Sequence, residues 1–164
     1  MLKISTKKSN FLARLAREGK LEIVEPSEEI CSAYLDKAEK SLKSARILLE
    51  NGLYENSVSM SYYVMYNSLT ALLFKVGIKC ENHSGSIILL RRLFGKDRLY
   101  KTISFAKKER VDKQYYVDFK LTKEPAKDLL EKAEYFLIEM KFIIGNIRTN
   151  EINNIRSGLK ISTT

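Results

Sequence analysis

At 164 residues and 45% hydrophobic content, the chain is long enough to bury one core and too short for several domains. Its two cysteines, Cys31 and Cys80, lack metal-type spacing and no leader segment precedes them, so the sequence predicts reduced thiols in the cytoplasm, no metal site and no cofactor. The net charge of +9 points towards phosphate, but residues 1–20 hold six basic side chains against one acid, residues 148–164 three against one, and the remainder 20 against 18.

Taken in order, residues 9–19 predict a short amphipathic helix with Phe11, Leu12 and Leu15 on one side, closed by Gly19. An extended linker, LEIVEP, follows. Ser27 with Glu28 and Glu29 supplies a capping hydroxyl and acids where a helix dipole favours them. The first long helix is expected from Ser27 to Glu50, with Leu35, Ala38, Leu42, Ala45 and Leu49 in a three-four rhythm and Asn51-Gly52 ending it.

The segment from Tyr54 to Val76 is the centre of the pattern. Between Asn56 and Phe74 it carries no charge, and it is apolar on two sides: Val58, Tyr62, Met65, Leu69 and Leu72 on one, Met60, Val64, Ala71 and Phe74 on another. A helix apolar on two sides is wrapped by others. Its serines, Asn67 and three tyrosines argue against a membrane span, despite a length near the roughly 20 residues a bilayer requires. Three further helices are expected: His83–Phe94 capped by Asn82, Asp97–Val117, and one beginning after Thr122 with Pro125 in its first turn. Beyond Asn150 a frayed polar tail is expected. The expected fold class is all-α, an antiparallel up-and-down helical bundle of about five helices with a short extra N-terminal helix. Its expected divisions are a basic arm (1–26), the bundle (27–150) and the tail (151–164).

Two residues break the apolar stripes. His83, the only histidine, begins the inward stripe of its helix, and Arg110 continues the stripe Leu99, Ile103, Ala106. A charged side chain facing a core must be paired or must line a cavity. In an antiparallel pair the eleven steps from Phe94 back to His83, about 16 Å of helical rise, match those from Arg98 to Glu109 and Arg110. The two side chains are therefore expected at one level. With Tyr115 and Tyr116 they form either a pocket for phosphate or a nucleotide base, or an internal hydrogen-bond network. Residues 91–113 add a basic run of nine side chains against three acids; Arg91, Arg92, Lys107 and Lys108 are the candidates for steering phosphate. A solvated face is the alternative.

The runs AEKSLKSARILLENGLYENSVSMSYYVMYNSLTALLFKVGIKCENHSG, ERVDKQYY and AKDLLEKAEYFL, in that order, resemble the HEPN domain (higher eukaryote and prokaryote nucleotide-binding), and most closely its small stand-alone prokaryotic proteins. The resemblance covers about residues 30–145. It implies a helical bundle that forms homodimers, acting either as a metal-independent RNase or as partner of a minimal nucleotidyltransferase in a toxin–antitoxin pair. The catalytic form of the family carries Arg, four to six residues, then His. From Arg110 those positions are Tyr115, Tyr116 and Val117, so the nuclease motif lacks its histidine. The expectation is therefore a protein that binds nucleotide or RNA through Arg110, Tyr115, Tyr116 and His83. The alternatives are a ribonuclease toxin using Arg110 with Tyr115 or His83, and a dimerisation scaffold without chemistry.

Overall fold

The computed structural model describes residues 6–115 and 120–163. Within them lie seven helices: α1 (Thr6–Arg17), α2 (Glu28–Glu50), α3 (Tyr54–Lys75), α4 (His83–Phe94), α5 (Asp97–Tyr115), α6 (Lys123–Asn146) and α7 (Thr149–Thr163). Two short strands, β1 (Leu21–Ile23) and β2 (Ile78–Cys80), complete the order. The chain is an all-α bundle, and no helix among the described residues is long and apolar enough to cross a membrane.

The helix starts follow their local chemistry. Ser27 Oγ accepts from the Ile30 amide at 3.1 Å and Asn82 Oδ1 from the Gly85 amide at 2.9 Å, each occupying a donor that a first turn leaves free. The turn between α4 and α5 rests on Gly95, whose φ of 64° is the left-handed conformation that glycine adopts without strain.

Helix α3 is the axis of the molecule, packed against α2, α4, α5, α6 and β2. Val58, Tyr62, Val64, Met65, Leu69, Ala71 and Leu72 are all buried, so both of its apolar sides are covered. Ala38 and Ala45, fully buried, let α2 approach closely, and the Ser57 hydroxyl donates to the Ala45 carbonyl at 2.8 Å across the seam. On the far side α6 contributes Ala126, Leu129, Ala133, Phe136 and Met140. Each large apolar side chain so placed contributes roughly 1.5–3 kcal/mol relative to exposure.

Two parts of the molecule differ from the sequence expectation. The linker after α1 is a strand: β1 pairs antiparallel with β2, Leu21 opposite Cys80, Glu22 opposite Lys79 and Ile23 opposite Ile78. The expected frayed tail is α7, which packs on α1 and α4 and buries Leu159. Its Arg156 Nη1 donates to the carbonyls of Val24 (2.6 Å), Val76 (3.2 Å) and Gly77 (3.0 Å). Three carbonyls converging on one guanidinium fix the C-terminal helix to the loop where β1, α3 and β2 meet. In the N-terminal segment, Leu12 and Leu15 of α1 are 0% and 2% exposed, so the short helix expected there is packed on the bundle.

Candidate nucleic-acid site

The site begins with Tyr62, on the side of α3 that meets α4 and α5. Its ring is fully buried, so its hydroxyl requires a partner inside the protein. That partner is His83 Nδ1, at 2.7 Å, held at the first position of α4 by the Asn82 cap. The imidazole stacks on Tyr66, one turn further along α3, with centroids 3.7 Å apart and planes at 14°.

Arg110 approaches from α5. Its guanidinium carbon lies 5.3 Å from the Tyr62 ring centroid and 4.9 Å from that of Tyr63, within cation–π range of both. His83 and Arg110 therefore meet on one tyrosine, as the level of their helices predicts. Arg110 is half-buried. It also lines an open cleft of about 530 Å³ with Ser44, Ile47, Leu48, Glu55, Asn56, Ser59 and Met60, a size common for small-ligand sites. One side of the guanidinium is thus committed to aromatic rings, and the cleft gives the rest access to solvent.

Electrostatics sets the state of the histidine. Burial, then the charges of Arg110 and Lys107, hold the His83 pKa below its ordinary value of 6.5, so the ring is neutral at neutral pH. Burial pushes the Tyr62 phenol far up, so it stays protonated. A neutral imidazole has one donor and one acceptor nitrogen. The hydrogen bond to the Tyr62 hydroxyl occupies Nδ1, whichever of the two groups donates.

Lys107, one turn before Arg110, donates to Ser84 Oγ at 2.5 Å. With Lys108, Ile87, Ile88, Tyr100, Ser104 and Val111 these two line a second groove of about 410 Å³ between α4 and α5. Arg91 and Arg92 are not brought to this end. They lie eight and nine positions along α4 from His83, about 12 Å or more of helical rise. Arg91 is bound to Asp97 at 2.8 Å and stacked over Tyr100. The backbone of Tyr115 closes α5, while its side chain and all of Tyr116 lie outside the described residues, as does Val117.

Sequence reasoning favours core packing over a pocket wall for the Tyr62-Tyr63 pair, and it missed Tyr66, Asn56 and Ser59 as site residues. A signal was present. Asn56, Ser59 and Tyr63 recur at three- and four-residue steps, a polar line between the two apolar sides of the helix.

A helical bundle with a neutral histidine and a half-buried arginine meeting on one tyrosine defines the class: an all-α domain with an open cleft at whose edge an arginine is backed by aromatic rings. The chain belongs to the HEPN domain family, whose profile matches residues 31–143. It is 32% identical over 130 residues to a protein of Methanocaldococcus jannaschii named, provisionally, as a toxin, covering 75% of this chain and 88% of that one. A second protein of that organism, named in the same way, is 31% identical over 118 residues, or 70% and 87% of the two chains. A UPF0332 protein of Archaeoglobus fulgidus is 31% identical over 116 residues, covering 68% of this chain and 93% of its own.

Proposed function

We propose that this chain is a toxin-like HEPN protein that binds RNA or a nucleotide by its phosphate at Arg110, as a homodimer partnered with a minimal nucleotidyltransferase. The observation that carries the binding reading is the placement of the Arg110 guanidinium: clamped by Tyr62 and Tyr63, yet lining a cleft with Asn56 and Ser59. A pre-positioned guanidinium offers two parallel donors to a phosphate, with little side-chain freedom left to lose on binding. Asn56 and Ser59 are polar enough to meet a base or ribose edge, and Lys107 and Lys108 extend the positive field along the next groove. The provisional toxin names of the two archaeal relatives support the toxin-like part.

Fluorescence anisotropy with a labelled single-stranded RNA tests it. Arg110→Ala is expected to weaken binding by ten-fold or more and Arg110→Lys to recover part of it. An alanine variant that binds like the parent overturns the reading. The partner half is tested separately, by whether a small nucleotidyltransferase gene lies beside this one and its product co-purifies.

Cleavage is the second reading, favoured by the imidazole lying beside Arg110. In it a base takes the ribose 2′ proton, the 2′ oxygen attacks phosphorus, the 5′ oxygen leaves, and Arg110 stabilises the charge that develops. With Nδ1 engaged by the Tyr62 hydroxyl, His83 has only Nε2 to offer that role. Incubation with RNA separates the two readings: cleavage lost in both His83→Gln and Arg110→Ala establishes the enzyme, and intact RNA leaves binding.

A further inference from the structure

The lining of the Arg110 cleft changes character along its length. Ile47, Leu48 and Met60 make an apolar wall, while Glu55, Asn56 and Ser59 line the side given by α3. Ile47 is 48% exposed, a large apolar side chain left open to solvent at that wall. The unexpected member is a carboxylate, because Glu55 shares the cleft with the guanidinium that meets phosphate. Among the described residues no ion pair joins Glu55 to Arg110, and no side chain engages Glu55 or Asn56.

Spacing along α3 says what fits between them. Glu55, Ser59 and Tyr63 follow at steps of four, on one side of the helix. The Arg110 guanidinium lies over the rings of Tyr62 and Tyr63, seven and eight positions past Glu55, or about 11 Å at the helical rise. That is close to the reach of one nucleotide from its phosphate to the far edge of its base, with the ribose falling near Ser59. At about a Debye length the two charges are largely screened, so Glu55 does little against a phosphate held by Arg110.

Hydrogen-bond chemistry then selects the base. An ionised carboxylate only accepts, and it holds best when it accepts two parallel bonds. Guanine presents two neighbouring donors, N1–H and the N2 amino group, on its Watson–Crick edge. Adenine and cytosine present one amino group beside an acceptor nitrogen that a carboxylate repels, and uracil presents one N–H between two carbonyls. Asn56, next in sequence and on the same cleft, carries amide N–H groups of the kind that guanine O6 accepts. The apolar wall of Ile47, Leu48 and Met60 covers the face of the ring.

We propose that the far end of the Arg110 cleft is a guanine pocket, in which Glu55 accepts from N1–H and the N2 amino group and Asn56 donates to O6. The assignment rests on the Arg110 phosphate reading and adds the base to it. Glu55 also stands in the first turn of α3, where the helix dipole favours an acid. That contribution is blind to the base, so a difference between bases separates the two roles.

Fluorescence anisotropy with short labelled oligouridines carrying one central guanine, inosine or adenine measures that difference. The parent is expected to bind the guanine oligomer ten-fold or more tighter than the adenine one, with inosine, which lacks the N2 amino group, between them. Glu55→Gln is expected to bring the guanine oligomer down to the adenine level, and Arg110→Ala to weaken all three alike. A parent that binds all three equally, yet loses them on Arg110→Ala, overturns the guanine pocket and leaves the phosphate reading standing. An Arg110→Ala protein that binds like the parent removes both. Tighter binding of every oligomer by Glu55→Gln reveals a merely repulsive charge, and an unchanged preference puts its source elsewhere; each overturns the assignment. Competition with GMP and AMP identifies where the base comes from. Displacement by GMP alone supports the pocket with a free nucleotide as its ligand, resistance to both supports it with an RNA strand, and equal displacement by the two overturns it.

Discussion

Tyr62 does two jobs with two parts of one side chain. Its ring fills the core and its hydroxyl holds His83. Tyr62→Phe keeps the ring and leaves Nδ1 without its partner, so a loss of about 1–2 kcal/mol is expected by urea unfolding. The sign of the pH dependence follows from His83. Its folded pKa is lowered by burial and by Arg110 and Lys107 on α5, while Tyr62 and Tyr66 on α3 present uncharged rings. The unfolded chain therefore takes up this proton first as pH falls below 6.5, and stability drops from there towards the folded value. His83→Gln is expected to flatten the decline in Tm between pH 7 and 5 relative to the parent. An equal decline in both proteins would show that other groups set it. At this scale the legibility of the sequence was uneven. His83 and Arg110 stood out because polar groups interrupted apolar stripes. Tyr62 did not, because a tyrosine on such a stripe reads as ordinary core, and nothing in one sequence tells where its hydroxyl ends.

Among the elements, α3 was the most readable, since an uncharged helix apolar on two sides has few environments available to it. Helix α7 was the least. Ile152, Ile155 and Leu159 do recur at three and four residues, but they are outnumbered by Asn, Ser, Thr and charge, and the helix is also held by Arg156. The carbonyls that Arg156 reaches belong to residues 24, 76 and 77, contacts invisible to any local pattern. Strand β1 was read as linker for a similar reason, as three residues are strand only by virtue of their partner β2. Arg156→Ala is expected to cost about 1–3 kcal/mol, because the loop loses a charged donor it has folded around. Gly77→Ala should cost at least as much. Its φ is 75°, and a methyl there would collide with Arg156 and the Val24 carbonyl. Calorimetry of the two variants checks both, and a Gly77→Ala protein as stable as the parent would contradict the packing described.

For the molecule as a whole, the first and last of the described helices meet. Helix α1 packs on α7, and both pack on α4, whose first residue is His83. The basic excess in the terminal segments is consequently carried in part on structural helices, not on free tails. Removing residues 148–164 thus removes more than charge: it exposes the surface under Leu159, about 1.5–3 kcal/mol, and takes away Arg156. At 2–4 °C for each kcal/mol in a chain of this size, the truncated protein is expected to melt about 10 °C or more below the parent. The Arg110 cleft is lined from α2, α3 and α5 and touches neither terminal helix, so RNA affinity measured well below the new Tm should stay within a few-fold. Should affinity collapse while the circular dichroism at that temperature remains native, the terminal charges rather than Arg110 would be the phosphate contact. If Tm is unmoved, α7 is a passenger and the three carbonyls at the β1–α3–β2 junction are satisfied without it.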